Sequence, residues 1–103
     1  MRITTGYYAS ENGSKYLQQL CKHFQHKITV RFDAEEGRFA TETGTAHLRA
    51  DAKGLTVQLT AEDTKGLIDL RYMIDKHLVN FAWREGFTGC AWRMEDDGGT
   101  PPA

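Results

Sequence analysis

The sequence predicts an α+β fold. It is an antiparallel four-stranded sheet, five-stranded if a terminal segment joins it, with two helices packed on one face in the order α-β-β-β-β-α. Three observations predict it. Four runs between Ile28 and Thr60 alternate apolar and polar residues with period two, the mark of strands buried on one side. The connections between them are short and mostly glycine-containing (Glu35-Glu36-Gly37, Gly44, Ala52-Lys53-Gly54), as in an antiparallel meander. Stretches with the 3.6-residue period of an amphipathic helix flank the meander on both sides.

In chain order, Met1 to Tyr8 is rich in β-branched and aromatic residues and forms either an edge strand or a frayed arm. The first helix runs over Lys15 to Lys27. At 100° per residue Tyr16, Leu17, Leu20, Cys21 and Phe24 make one apolar stripe, with His23 on its flank and His26 nearly opposite. Ser10 or Ser14 is placed to cap it, since a serine hydroxyl can accept from an orphan N–H of the first turn. The first strand follows at Ile28 to Asp33, and a second at Arg38 to Thr43 points Phe39 inward. Ala46, Leu48 and Ala50 are the inward residues of the third, and Leu55, Val57 and Leu59 those of the fourth. Thr60-Ala61-Glu62-Asp63 has the pattern of a capping box. The second helix carries Leu67, Leu70, Ile74, His77, Leu78, Phe81 and Ala82 on its stripe, and Gly86 is placed to end it in the left-handed conformation. Phe87 to Met94 is a last strand or a strap over the core. Residues 1–94 form one domain, and Glu95 to Ala103, with its Gly and Pro pairs, reads as a disordered tail.

Composition narrows the function. A net charge of −1 gives no global attraction to nucleic acid or to an anionic membrane. No apolar run approaches the ~20 residues of a membrane helix. Gly6, Ser10, Glu11 and Asn12 interrupt any signal-peptide core at the N-terminus, so the expected location is cytoplasmic, with Cys21 and Cys90 as reduced thiols.

Two clusters are candidate binding sites. One is the end of the first helix, His23, His26 and Lys27; the other is the polar sheet face, with Arg31, His47 and Arg49 among Thr29, Glu42, Thr56 and Gln58. Cys21, His23 and His26 also invite a metal reading, with His77 as a further ligand. In a meander of four strands the first helix ends at the rim where the second begins. His77 then stands roughly 20 Å from His23, at ~1.5 Å per residue. The set that survives is His23, His26 and Asp63, since residues at i,i+3 are neighbours. The competing reading is structural: Lys22, His23, His26 and Lys27 complement the dipole at the helix end and face Glu62 and Asp63. No catalytic acid–base pair or nucleophile elbow is legible. Arg84-Glu85 pairs or caps the helix end, or else forms an anion clamp. The cofactor is left unknown, and a homo-oligomer is possible.

Two stretches carry a family resemblance: Tyr16 to Lys27 (YLQQLCKHFQHK) and His77 to Glu85 (HLVNFAWRE), together with Ala50-Asp51. They resemble a bacterial family known as domain of unknown function 2218, over nearly the whole chain except the tail. Asn80 stands where a basic residue is expected. The resemblance implies a small standalone α+β domain. It also implies a link to iron, because related domains occur fused to flavin-dependent siderophore-interacting reductases. The expectation is therefore an accessory or binding module beside siderophore-iron handling, with such a reductase as partner. The alternatives are a metal- or ferric-siderophore-binding protein using His23 and His26, and a small enzyme of unknown reaction.

Overall fold

The computed structural model describes residues 1–96. Its elements are β1 (Arg2–Ala9), α1 (Gly13–Phe24), β2 (Val30–Phe32), β3 (Glu36–Ala40), β4 (Gly44–Ala50), β5 (Gly54–Ala61), α2 (Thr64–Ala82) and β6 (Ala91–Asp96), with a 3-10 turn at Trp83–Glu85. Among the described residues the sheet is open and has six strands in the order β2-β3-β4-β5-β1-β6, each antiparallel to its neighbours. The expected four or five strands in α-β-β-β-β-α order are corrected at both ends. The N-terminal segment is an interior strand, and residues 91–96 are the edge strand beside it.

The segment expected as an edge strand or a frayed arm is a strand, but its interior position escapes sequence reading because it inverts the usual signal. Thr4, Gly6 and Tyr8 pair with Leu59, Val57 and Leu55 and so face the helices, while Ile3 and Tyr7 face the other way. Thr4 is fully buried, and its hydroxyl donates to the Arg93 carbonyl at 2.9 Å. A buried hydroxyl with its bond made costs little, but it hides the apolar alternation by which a strand is recognised. Glu95 and Asp96 belong to β6, and the rest of the expected tail lies outside the described residues.

The meander is otherwise close to expectation, with shifted ends. The turn before β3 sits one to two residues earlier than predicted. There Asp33 Oδ1 accepts from the backbone N–H groups of Glu35 and Glu36 at 2.7 and 2.8 Å, so Glu36 and Gly37 enter the strand. Leu48, Leu55, Val57 and Leu59 are fully buried against α1 and α2.

The predicted stripe of α1 is buried at every position, Tyr16, Leu17, Leu20, Cys21 and Phe24. Its cap is not as predicted. Asn12 holds the N-cap position without a side-chain bond to the helix, Ser10 Oγ accepts from Asn12 N, and Ser14 Oγ donates to the Ala34 carbonyl. For α2 the capping residue is Asp63, whose Oδ1 accepts from Gly66 N at 2.8 Å, while Thr60 remains in β5. Gly86 ends the following turn at φ 82°, a conformation that favours glycine, with its N–H on the Trp83 carbonyl.

The two helices are antiparallel neighbours, and their ends are flush where Tyr16 meets Glu85. Helices of 12 and 19 residues cannot also be flush at the other rim, since they measure about 18 and 28 Å at ~1.5 Å per residue. The excess length of α2 runs past the end of α1. His77 therefore comes opposite His23, with ring centroids 4.7 Å apart. The expected separation of roughly 20 Å came from aligning the wrong pair of ends.

Candidate functional site

Strand register brings one row of polar side chains across the sheet on the face away from the helices. Arg31 pairs with Arg38, Arg38 with His47, His47 with Gln58, Gln58 with Thr5, and Thr5 with Arg93. Period-two alternation places all six on one face. The row borders a groove of about 680 Å3, whose walls include Thr29, Arg31, Arg38, Thr45, His47 and Gln58.

Charge along this face is unevenly compensated. Glu36 takes both His47 Nε2 at 3.1 Å and Arg49 Nε at 3.7 Å. Asp33 is occupied by its own turn, and those two N–H bonds hold its carboxyl below the usual range. Among the described residues Arg31 and Arg38 have no carboxylate within ion-pair distance. Of the predicted sheet-face residues, Arg31 and His47 line the groove, whereas Arg49 stands off it against Glu36. Glu42 is not on the face, because it lies in the connection between β3 and β4. Arg38 was missed: its place opposite Arg31 follows from the Asp33 turn, which sets the register of β2 on β3.

The helix-end cluster divides. His26 and Lys27 are exposed and border a shallow surface depression running to Val30. His23 packs edge-on to Phe24 and beside His77. Loss of hydration against its ring neighbours, then His77, Lys27 and His26 in turn, lower the pKa of this exposed imidazole from the ordinary value. Asp63 is at the start of α2, and among the described residues no group of three or more His, Cys, Asp or Glu is placed to hold a metal ion.

A third constellation centres on Glu85. Its carboxylate accepts from the hydroxyls of Tyr16, Ser10 (2.8 Å) and Tyr8 (3.0 Å) and from Asn12 Nδ2 (2.7 Å). The bonds from Tyr16, Asn12, Ser10 and Tyr8 push its pKa down to about 2. Burial and then Glu85 push Tyr16 up to about 12. The anion-clamp reading of Arg84-Glu85 gives way here. Glu85 has its lone pairs filled by the β1–α1 corner, and Arg84 lies over the Trp83 ring, 5.1 Å from its centroid. Neither thiol is a poised nucleophile. Burial raises Cys21 to about 11, and burial followed by Asp75 raises Cys90.

Fold and site together define a small α+β domain with a covered helical face and an open, arginine-bearing sheet face. A family described as an uncharacterized protein conserved in bacteria, domain of unknown function 2218, matches residues 5–93, and the chain belongs to it. The NMR structure of PA4090 from Pseudomonas aeruginosa is similar over 90% of this chain and 96% of that one, at 26% identity and a TM-score of 0.75. No curated protein matches the chain. Among the described residues no helix is long and apolar enough to cross a membrane.

Proposed function

We propose that this chain is a non-catalytic binding module that takes an anionic group on its open sheet face, between Arg31 and Arg38. One observation carries the reading: two guanidinium groups stand on directly opposed residues of β2 and β3, and among the described residues no carboxylate lies within ion-pair distance of either. Like charges directly opposed across a strand pair are destabilising. A bound oxyanion relieves that repulsion and satisfies the fork of donors that each arginine presents. Thr45, Gln58 and His47 add hydrogen-bonding groups along the same groove.

The siderophore association implied by the family resemblance belongs to this reading as its more specific form. Ferric siderophore chelates present anionic oxygens, and a flavin-dependent siderophore reductase is the partner to test. Its retention in a pull-down, lost in the Arg31→Ser, Arg38→Ser variant without loss of Tm, would support it.

The direct test is titration with pyrophosphate and citrate at low ionic strength, followed by amide chemical shifts. Saturable shifts are expected on β2 to β5 around Arg31, Arg38, Thr45 and His47. The double variant Arg31→Ser, Arg38→Ser should lose them while keeping or raising Tm. No saturable shift in the wild type, or shifts that persist in the double variant, would overturn the proposal.

A further inference from the structure

We propose that His23 and His77 form an open two-histidine site, bridging α1 and α2, for one divalent late transition metal ion such as nickel or zinc. The placement is a product of the helix offset described above and involves neither the sheet face nor Asp63.

The geometry fits a shared ion. A metal–nitrogen bond of ~2.0–2.1 Å puts each imidazole centroid about 3.2 Å from the metal, so two rings at tetrahedral to square angles are about 4.5–5.2 Å apart. The observed separation is 4.7 Å, with the rings inclined at 46°. His77 is oriented as a ligating histidine usually is. Its Nδ1 bonds the Met73 carbonyl at 2.7 Å, one turn back on α2. With Nδ1–H as the donor, Nε2 keeps its lone pair, and the ring cannot swing. His23 makes no hydrogen bond or ion pair among the described residues, so both its nitrogens are free. Phe24 and Phe81 wall the pair, with Phe24 5.0 Å from the His77 ring and Phe81 6.4 Å from the His23 ring. An imidazole pair with no carboxylate or thiolate suits nickel, copper or zinc and not calcium or magnesium. No third ligand joins them among the described residues. His23 is exposed and His77 half-buried, so an ion held by the pair would be open to water or to a donor from a partner.

The test is calorimetric titration with Ni2+, paired with thermal unfolding at several nickel concentrations. One ion per chain is expected, with a Tm that rises with free nickel because the ion ties two helices together only in the folded state. His23→Gln and His77→Gln should each weaken binding at least tenfold. His26→Gln and His47→Gln should stay within about twofold of wild type. His23 is exposed, so His23→Gln decides the matter even if His77→Gln folds poorly. Absence of saturable binding at millimolar nickel would overturn the site, as would wild-type affinity in His23→Gln or a comparable loss in His26→Gln. The Arg31→Ser, Arg38→Ser variant should keep its nickel, which separates this outcome from that of the sheet-face reading.

Discussion

Asp75→Ala should cost about 3 kcal/mol, because Asp75 latches the last strand to the second helix. Oδ1 accepts from Cys90 N at 3.0 Å, and Oδ2 accepts from Trp92 Nε1 at 2.8 Å. A hydrogen bond to a charged group contributes ~1.5–3 kcal/mol, and both bonds are part-buried, so the lower end applies to each. For a domain of this size ~1 kcal/mol moves Tm by roughly 4–8 °C, so the midpoint should fall by about 12–24 °C. Asp75→Asn keeps one acceptor oxygen but turns an amide donor toward the other N–H, and should lose about half of the total or a little more. Trp92→Phe removes the indole donor while filling most of its space. Urea unfolding of the wild type, Asp75→Ala, Trp92→Phe and the double variant closes a cycle whose expected coupling is about 1–1.5 kcal/mol. Amide exchange of β6 should accelerate in step with the loss. A coupling below about 0.3 kcal/mol would refute the reasoning. It would mean that β6 is held by its pairing with β1 and by ring packing, with Asp75 a bystander.

Glu85 contributes to the acid limb of stability. Its folded pKa, about 2, lies below the ordinary 4.5, so its contribution is complete above about pH 4.5 and drains away as pH falls through 2. Glu85→Gln should lower Tm at neutral pH and narrow the gap to wild type between pH 4.5 and 2; a gap that does not change with pH would dismiss the carboxylate as the source. Gly37 is buried where an added Cβ would come within 2.6 Å of Cys21 Sγ. Gly37→Ala should therefore cost ~1–3 kcal/mol by overpacking, and Cys21→Ala in the same chain should recover most of it. If the pair shows simple additivity in chemical denaturation, the clash is not the cause.

The apolar stripe of the first helix, the four middle strands and the glycine stop after the second helix were legible from sequence, because each rests on local periodicity or a local conformational preference. Tyr16 to Phe24 and Leu48 to Leu59 were read correctly from period alone. β1 was not legible as an interior strand, since its core-facing residues are a threonine, a glycine and a tyrosine. Their burial follows from the neighbouring strands and from the Arg93 carbonyl, none of which a local window contains. The candidate sites divide the same way. Arg31 and His47 were visible as members of a polar face. The Arg31–Arg38 opposition needed the register that the Asp33 turn imposes. The meeting of His23 and His77 needed something more distant still, the choice of which helix ends are flush. That choice is made by four donors from the β1–α1 corner converging on Glu85, residues separated by about seventy positions in the chain and brought together only by folding. Local periodicity decides the helices and the middle strands; the burial of β1 and the offset between two packed helices are properties of their common environment.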